Sequence, residues 1–295
     1  MLTRAELKAA FVEAGVGRIA QQLAELSEPC VLVSTHAHPH EDLPIGESRI
    51  GGAPDLPATM EWPMWRDKPL AFLAQFNLAD LARFACCRDL PSSGRLWFFY
   101  DSEQSTWGFD PQDRGSWRVL HAETNPADLQ PRAADDLPRH ESYQPCRVTF
   151  HEFLSIPGPE HLALASLNIT LDEMEEIAEV DKDLHEMVES CSQDGGYESH
   201  HQLLGHPKEI QGEMQLDCQL AFHGYRRSGA FQGPSSNLEP GAKDWRLLFQ
   251  LDTDDDIKSG KPGMMWGDCG RLYFWIRHDD LKQRRFENTW MILCG

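Results

Sequence analysis

The spacing of apolar residues predicts mainly β-strands in this chain, and one strand is especially well marked. Residues 70–78, LAFLAQFNL, alternate so that even-numbered positions face one side of a strand and odd-numbered positions face the other. Both sides are largely apolar, which predicts a central strand that is covered on both faces. Shorter aromatic or aliphatic runs predict further strands at 30–35, 95–100, 118–121, 147–154, 245–252, 270–276 and 289–294.

Helical spacing marks the N-terminal region. Thr3 and Glu6 have the spacing of a capping box, in which each residue satisfies a backbone N–H at the start of a helix. Apolar residues then recur at near-helical intervals through residues 7–26, with interruptions at Gly15 and Gly17. The pattern predicts two helices, or one kinked helix, that cap the rest of the fold.

Two segments of the chain carry the same features in the same order. Gln75 lies in a predicted strand 19 positions before Gly94, which opens an Arg-Leu-aromatic strand. Gln250 lies in a predicted strand 20 positions before Gly270, which opens a strand of the same kind. Because fixed spacing between matched features is the mark of an internal repeat, we interpret the segments as two copies of one unit.

These elements together predict an α+β fold, with β-rich mixed sheets and the N-terminal helical cap. The repeat predicts that residues 1–295 form a single domain with two similar halves, at about 28–155 and 195–295. A helix predicted at about 170–190 joins the halves, and a second capping-box pair marks its start.

Composition narrows the range of partners. The formal net charge is −20, whereas nucleic acids and anionic membrane surfaces are bound by basic proteins, so neither is an expected partner. No run approaches the roughly 18 apolar residues of a membrane span. The first 15 residues lack the apolar core of a signal peptide, and none of the eight cysteines forms a C-x-x-C pair. A cytoplasmic protein with reduced thiols is expected.

Four polar residues on the predicted covered strands are candidate ligand contacts. Gln75 and Asn77 share one face of their strand, and Gln250 and Asp252 share one face of theirs. If a pseudo-two-fold axis relates the halves, the four side chains could meet near it, where ligand sites often form. Alternatively, each glutamine satisfies backbone groups in its own half, as buried amides commonly do.

A second set of candidates combines tryptophans with carboxylates. Trp107 and Asp110 lie in one glycine-containing loop, and Trp266 and Asp268 lie in another. Together they could line a pocket with aromatic walls that suits a sugar or a cationic group. The alternative is that the tryptophans pack and the aspartates cap turns.

Two stretches carry side chains that bind metals in other proteins. Alternating histidines at 36–40 beside Asp42 could bind a metal, although the prolines there favour a solvated loop. The acidic run at 252–256 fails the calcium-loop pattern, because Ile257 and Gly263 stand where that pattern needs Gly and Glu. Neither a metal nor a cofactor is predicted.

Several short motifs of the sequence are shared with one known family. They are ESRIGGAPDLP (47–57), EWP (61–63), PLAFLAQFNL (69–78), LPSSGRLWFFYD (90–101), WGFDPQD (107–113), HQLLGHPKEIQ (201–211), WRLLFQLD (245–252) and MMWGDCGRLYFWI (264–276). In these motifs the chain resembles the YwqG-like family of bacterial proteins, a domain family of unknown function. The resemblance implies a mixed α+β fold with a duplicated core and supplies no activity. Some relatives are suspected of acting beside toxin systems as protective binding proteins.

Three functional hypotheses remain open. The chain lacks the G-x-S-x-G, P-loop and G-x-G-x-x-G contexts, so the leading hypothesis is a cytoplasmic binding or interaction module for an unknown small molecule or protein partner. The second is an enzyme, such as a hydrolase, that uses Asp110, Asp252 or Asp268 in a tryptophan-lined cleft. The third is a toxin-neutralising interaction protein.

Overall fold

Most strands of the protein join one antiparallel sheet. The computed structural model describes residues 2–37, 43–134, 143–158, 161, 164, 167–190, 199–226, 234–255 and 262–295. The strands are β1 (Glu28–Ala37), β2 (Arg49–Ile50), β3 (Asp55–Pro57), β4 (Met64–Trp65), β5 (Lys68–Pro69), β6 (Ala71–Asn77), β7 (Arg95–Tyr100), β8 (Trp117–Ala122), β9 (Leu129–Pro131), β10 (Cys146–Ser155), β11 (Gln202–Leu203), β12 (Trp245–Asp252), β13 (Arg271–Arg277) and β14 (Trp290–Cys294). Each predicted strand is present, and the β-rich α+β prediction is confirmed.

The order of strands in the main sheet is symmetric about its centre. The sheet has ten strands in the order β14-β13-β12-β11-β1-β10-β2-β6-β7-β8. Strands β1 and β10 form the central antiparallel pair. Strands β11 to β14 then follow in chain order on one side, and β2, β6, β7 and β8 follow in chain order on the other. The remaining short strands form two separate pairs, β3 with β9 and β4 with β5.

The two ends of the main sheet approach each other. Trp117 Nε1 in β8 donates to the carbonyl oxygen of Thr289, just before β14, at 3.1 Å. Between the ends lies an aromatic core in which the ring centroids of Phe76 and Phe249 are 5.0 Å apart and those of Phe98 and Phe249 are 4.9 Å apart. The sheet therefore curls around its own apolar interior.

Strand β6 contains a β-bulge, so the strict alternation predicted across residues 70–78 is wrong. Its register with β7 shifts between Phe72 and Ala74. Phe72 belongs to a small cluster on the outer face, whereas Leu73 and Phe76 belong to the interior core. A bulge inserts one extra residue and reverses the facing of everything after it. Gln75 therefore points to the outer face, opposite Phe76.

The described α-helices pack on the sheet, and the two N-terminal helices and the long helix over residues 171–190 form a second core with it. They are α1 (Arg4–Glu13), α2 (Ala20–Leu26), α3 (Leu78–Leu81), α4 (Leu171–Ser190), α5 (Gln215–Phe222) and α6 (His278–Lys282), and short 3-10 helices occur at Ala85–Asp89, Pro111–Asp113, Pro126–Asp128, Pro234–Asp244 and Phe286–Asn288. The predicted capping box is present, since Glu6 N donates to Thr3 Oγ1 at 3.2 Å and Thr3 N donates to Glu6 Oε2 at 2.8 Å. Of the two alternatives predicted for the N-terminal region, two helices or one kinked helix, the structure has two helices.

Helix α4 presents only part of its apolar face to the protein. Val180 and Leu184 are buried against the second core, whereas Leu171 and Met187 are 78% and 62% exposed.

Within the described ranges, no helix has both the length and the apolar character that crossing a membrane requires.

Candidate functional site

Gln75 is fully buried and uses both ends of its side-chain amide. Its Oε1 accepts a hydrogen bond from Asp55 N at 2.8 Å. Its Nε2 donates to the carbonyl oxygen of Glu47 at 2.7 Å and to Asp55 Oδ2 at 2.9 Å. The amide therefore links strand β6 to the segment before β2 and to the start of β3, and it offers no unused group to a ligand.

Gln250 is held in the same manner in the other half of the chain. Its Oε1 accepts from Lys208 N at 2.8 Å, and its Nε2 donates to the carbonyl oxygen of His200 at 2.5 Å. Phe249, the neighbour of Gln250 in β12, meets Phe76 inside the sheet, so the two glutamines point away from each other. The structure does not bring Gln75 and Gln250 together around a shared ligand.

The other two polar strand residues also have structural partners. Asn77 accepts a hydrogen bond from Ala79 N at 3.3 Å and so caps helix α3. Asp252 receives Arg271 as a bidentate partner, with Nε to Oδ1 and Nη2 to Oδ2 both at 2.8 Å. Burial raises the pKa of Asp252, but the hydrogen bonds and charge of Arg271 outweigh burial, so the net shift is downward. Asp252 is an ionised buried partner rather than a proton donor.

His200 lies beside this ion pair and is held in its neutral form. Its backbone N donates to Asp252 Oδ2 at 2.9 Å. Burial first, and then the charge of Arg271 and the ring of His185, lower the pKa of His200 to about 3. The neutral imidazole is therefore a requirement of the folded state.

Acidification should destabilise the protein through His200. Because the pKa of His200 is lower in the folded protein than in the unfolded chain, the unfolded chain binds the extra proton between about pH 6.5 and pH 3. We expect the contribution of His200 to the free energy of unfolding to fall by about 1–2 kcal/mol between pH 7 and pH 5. In urea unfolding, the free energy of unfolding of His200→Asn should fall less between pH 7 and pH 5 than that of the wild type. An equal fall in the variant and the wild type would contradict the lowered pKa of His200.

One cleft of about 610 Å³ includes two of the predicted site residues, Trp107 and Asp110. Its lining comes from the loop between β7 and β8, from the segment that leads into α5, from Arg226 and from the end of β14. The lining residues are Ser105, Trp107, Phe109, Asp110, Asp113, Gln211, Gly212, Glu213, Met214, Asp217, Arg226 and Cys294.

Trp266 and Asp268 are not part of that lining. Trp266 is fully buried, and its Nε1 donates to the carbonyl oxygen of Asp252 at 3.0 Å, which makes it a packing residue. Asp268 is exposed on the adjacent loop. Gly267 between them lies near Trp107, since a Cβ built on this glycine would lie 3.7 Å from Trp107 Cη2. The two tryptophans therefore have different environments, and only Trp107 faces the cleft.

The loop that carries Trp107 is anchored to strand β14. Leu293 N donates to the carbonyl oxygen of Trp107 at 3.1 Å, and Trp290 Nε1 donates to the carbonyl oxygen of Gly108 at 2.7 Å. Gly108 has a φ of +81°, and a Cβ at this position would lie 1.8 Å from the carbonyl oxygen of Met291. Only glycine permits this close approach, which fixes the aromatic wall of the cleft.

A family model matches almost the entire sheet. The model of DUF1963, a domain of unknown function, matches residues 48–294. The chain belongs to the DUF1963 family. Comparison with curated proteins gave no match. The matched region runs from just before β2 to the last residue of β14, so it contains both walls of the cleft.

Carboxylates dominate the electrostatics of the cleft in this DUF1963 domain. Asp110, Asp113, Glu213 and Asp217 line it, and among the described lining residues Arg226 is the one cation. Arg226 forms an ion pair with Asp110. Burial raises the pKa of Asp113 despite the hydrogen bond that Gly108 N donates to its Oδ2 at 2.9 Å. An enclosure with aromatic walls and excess negative charge favours a cationic group.

Sequence reasoning missed half of this site in the DUF1963 domain. Glu213, Asp217 and Arg226 lie more than a hundred positions after Trp107, and no motif links the two segments. The only signal was the acidic residues just before and within α5, which have the appearance of ordinary solvated side chains. Tertiary packing of the 107–113 loop beside this segment creates the cleft.

The histidine and aspartate runs lie partly outside the described residues. His36 Nε2 pairs with Thr149 Oγ1 at 2.8 Å, whereas residues 38–42 and Asp256 are not described. Among the residues that are described, no group of three or more His, Cys, Asp or Glu side chains could hold a metal ion.

Proposed function

We propose that this DUF1963 protein is a cytoplasmic binding protein and that its ligand site is the cleft beside Trp107. The observation that carries the proposal is the exposure of Trp107 and Phe109, 40% and 38%, beside a concentration of carboxylates. Exposed aromatic side chains at a concave surface favour a ligand that covers them. The seven described cysteines form no disulfide, which supports the cytoplasmic assignment.

The chemistry of the walls indicates a positively charged group rather than a neutral sugar. An aromatic face attracts a cation by about 0.5–2 kcal/mol, depending on desolvation. Asp113 and Glu213, which come from the 107–113 loop and from the segment before α5, both line the cleft and add Coulombic attraction. A neutral sugar would offer these carboxylates no charge of opposite sign.

Small cations should therefore bind, and loss of two cleft carboxylates should weaken their binding. We expect agmatine and choline to bind measurably in titration calorimetry and glucose not to bind. Asp113→Asn combined with Glu213→Gln should weaken agmatine at least tenfold, or about 1.4 kcal/mol. Raising the salt concentration should weaken binding to the wild-type protein as well.

The control for this experiment removes the same charge elsewhere. Glu175 and Glu179 are exposed on α4, so Glu175→Gln with Glu179→Gln changes the net charge equally without touching the cleft. The control should bind agmatine as the wild type does. Equal weakening in both double variants, or tighter binding of glucose than of agmatine, would contradict the proposed site.

A hydrolase is the second proposal, and one observation favours it. Burial raises the pKa of Asp113 inside the cleft, and a carboxylic acid with a raised pKa is suited to general acid catalysis. Asp252 and Asp268, the other predicted catalytic carboxylates, do not line this cleft.

The resemblance to the YwqG-like family supports a third proposal, a protective protein that neutralises a toxin.

We also propose that the single domain over residues 1–295 contains a duplication, with halves at about 28–155 and 195–295. The symmetric strand order supports it, as does a register shift between Leu247 and Phe249 that matches the bulge of β6. Gln75 and Gln250 each accept a hydrogen bond from one backbone N–H and donate one to a backbone carbonyl oxygen in their own half.

A further inference from the structure

The cleft already holds a guanidinium group from its own chain. Arg226 pairs with Asp110, and its side chain is 67% exposed whereas that of Asp110 is 19% exposed. The cation therefore reaches the carboxylate from the open side of the cleft. A contact with so exposed an arginine contributes little free energy, so another cation can displace it.

A guanidinium suits these walls better than a compact ammonium does. It is planar, stacks on aromatic rings and pairs with carboxylates in a fork geometry. The molecule stacks a guanidinium on aromatic rings next to the cleft, where Arg114 lies 4.5 Å from the ring centroid of Phe222 and 4.9 Å from that of Trp290. Inside the cleft, Trp107 provides an aromatic ring and Asp113 adds a carboxylate.

Exposed apolar side chains adjoin the segments that line the cleft. Ile210 precedes the lining segment and is 42% exposed, and Tyr225 precedes Arg226 and is 40% exposed. Met265 is 36% exposed, and its carbonyl oxygen accepts from Gln104 Nε2 at 2.8 Å, which holds it beside the Trp107 loop. Apolar residues at the edge of a charged cleft indicate a partner with apolar groups next to its charge.

We propose that the cleft receives an arginine side chain of a basic partner protein, with apolar residues on both sides of that arginine, and that Arg226 occupies the site until the partner displaces it. The proposal rests on the cleft being the ligand site. A formal net charge of −20 supports it, because an acidic protein attracts a basic partner over long distances.

Short peptides with blocked ends provide the test. The probe is acetyl-Gly-Leu-Arg-Leu-Gly-amide, with citrulline or lysine in place of arginine in two variants and serine in place of both leucines in a third. We expect the citrulline peptide to bind at least tenfold more weakly than the arginine peptide in titration calorimetry. The lysine peptide should bind at least threefold more weakly, and the serine peptide at least fivefold more weakly.

Protein variants test the displacement. Arg226→Ala should bind the arginine peptide three- to tenfold more tightly, because the internal competitor is gone. Arg284→Ala is the matched control, since Arg284 is 54% exposed and pairs with Glu123 away from the cleft. The control should change the affinity less than twofold.

The outcomes separate this inference from the proposed site. If agmatine binds the cleft but the arginine peptide binds no more tightly than agmatine, or no more tightly than the citrulline peptide, the partner assignment is overturned and the site stands. If neither agmatine nor the arginine peptide binds, both fail. Weaker peptide binding by Arg226→Ala would overturn the displacement and make Arg226 part of the receptor surface.

Discussion

Replacement of Asp252 by alanine should lower the free energy of unfolding by about 3–5 kcal/mol, because it leaves a buried guanidinium without its partner. Asp252 and Arg271 are each 7% exposed, and their two hydrogen bonds are both 2.8 Å long. The substitution also removes the acceptor of His200 N. Urea unfolding at pH 7, monitored by circular dichroism, measures the loss.

An exposed ion pair and a double variant are the controls for Asp252→Ala. Lys182 and Glu186 form an i,i+4 pair in which both side chains are 52% exposed, so Glu186→Ala should cost less than about 0.5 kcal/mol. Asp252→Ala combined with Arg271→Met should lower the free energy of unfolding by less than the sum of the single variants, because the methionine removes the buried guanidinium that would lack a partner. A loss below about 1 kcal/mol for Asp252→Ala would show that Arg271 reaches solvent after the change.

The partner of Asp252 depends on the register between two strands, which the pattern of polar and apolar residues does not show. The sequence marks Asp252 as polar on a covered strand, and that property alone suits a ligand contact. In the structure Arg271 is its direct partner across β12 and β13. Opposite charges on neighbouring strands neutralise each other. Because the spacing of two strands along the chain does not fix their register, the ion pair could not be predicted.

The fold was predictable to the extent that it depends on local pattern. Strands β6, β7, β12 and β13 have aromatic or aliphatic runs long enough to identify, and Thr3 with Glu6 marks the start of α1. The bulge at Leu73 was not predictable, since β6 is apolar on both faces and an extra residue does not interrupt its pattern. Such a strand carries little information about which face each residue occupies.

The candidate site was predictable only on one wall. Trp107 and Asp110 stand in a loop with a distinctive composition, and both line the cleft. Glu213 and Arg226 come from a later part of the chain, which follows two more strands of the main sheet, helix α4 and strand β11. Contacts between segments so distant along the chain depend on the completed fold and not on local residue spacing.

Loss of either buried glutamine should destabilise the protein by a similar amount. Gln75→Ala leaves Asp55 N and the carbonyl oxygen of Glu47 without their partners, and it opens a cavity at a fully buried position. We expect a cost of about 2–4 kcal/mol, and a comparable cost for Gln250→Ala. Gln211 is exposed, so Gln211→Ala should cost less than about 0.5 kcal/mol in the same urea titration.

A glutamate in place of each glutamine should distinguish the two positions. Gln75 Nε2 donates to Asp55 Oδ2 at 2.9 Å, so Gln75→Glu places two carboxylates in contact at a buried position. The described partners of Gln250 are backbone groups of Lys208 and His200, so Gln250→Glu lacks that repulsion. Gln75→Glu should therefore cost more than Gln250→Glu, and its excess cost should shrink as the pH is lowered and one carboxylate of the pair is protonated.

The double variant Gln75→Ala/Gln250→Ala decides between local support and a shared site. The two amides bond to different loops and point away from each other, so their effects should add to within about 0.5 kcal/mol. A shared ligand site would make the two effects less than additive, because removal of one amide would already abolish ligand binding. A double variant that loses clearly less than the sum would contradict the local role, and so would loss of agmatine binding in either single variant while the protein remains folded.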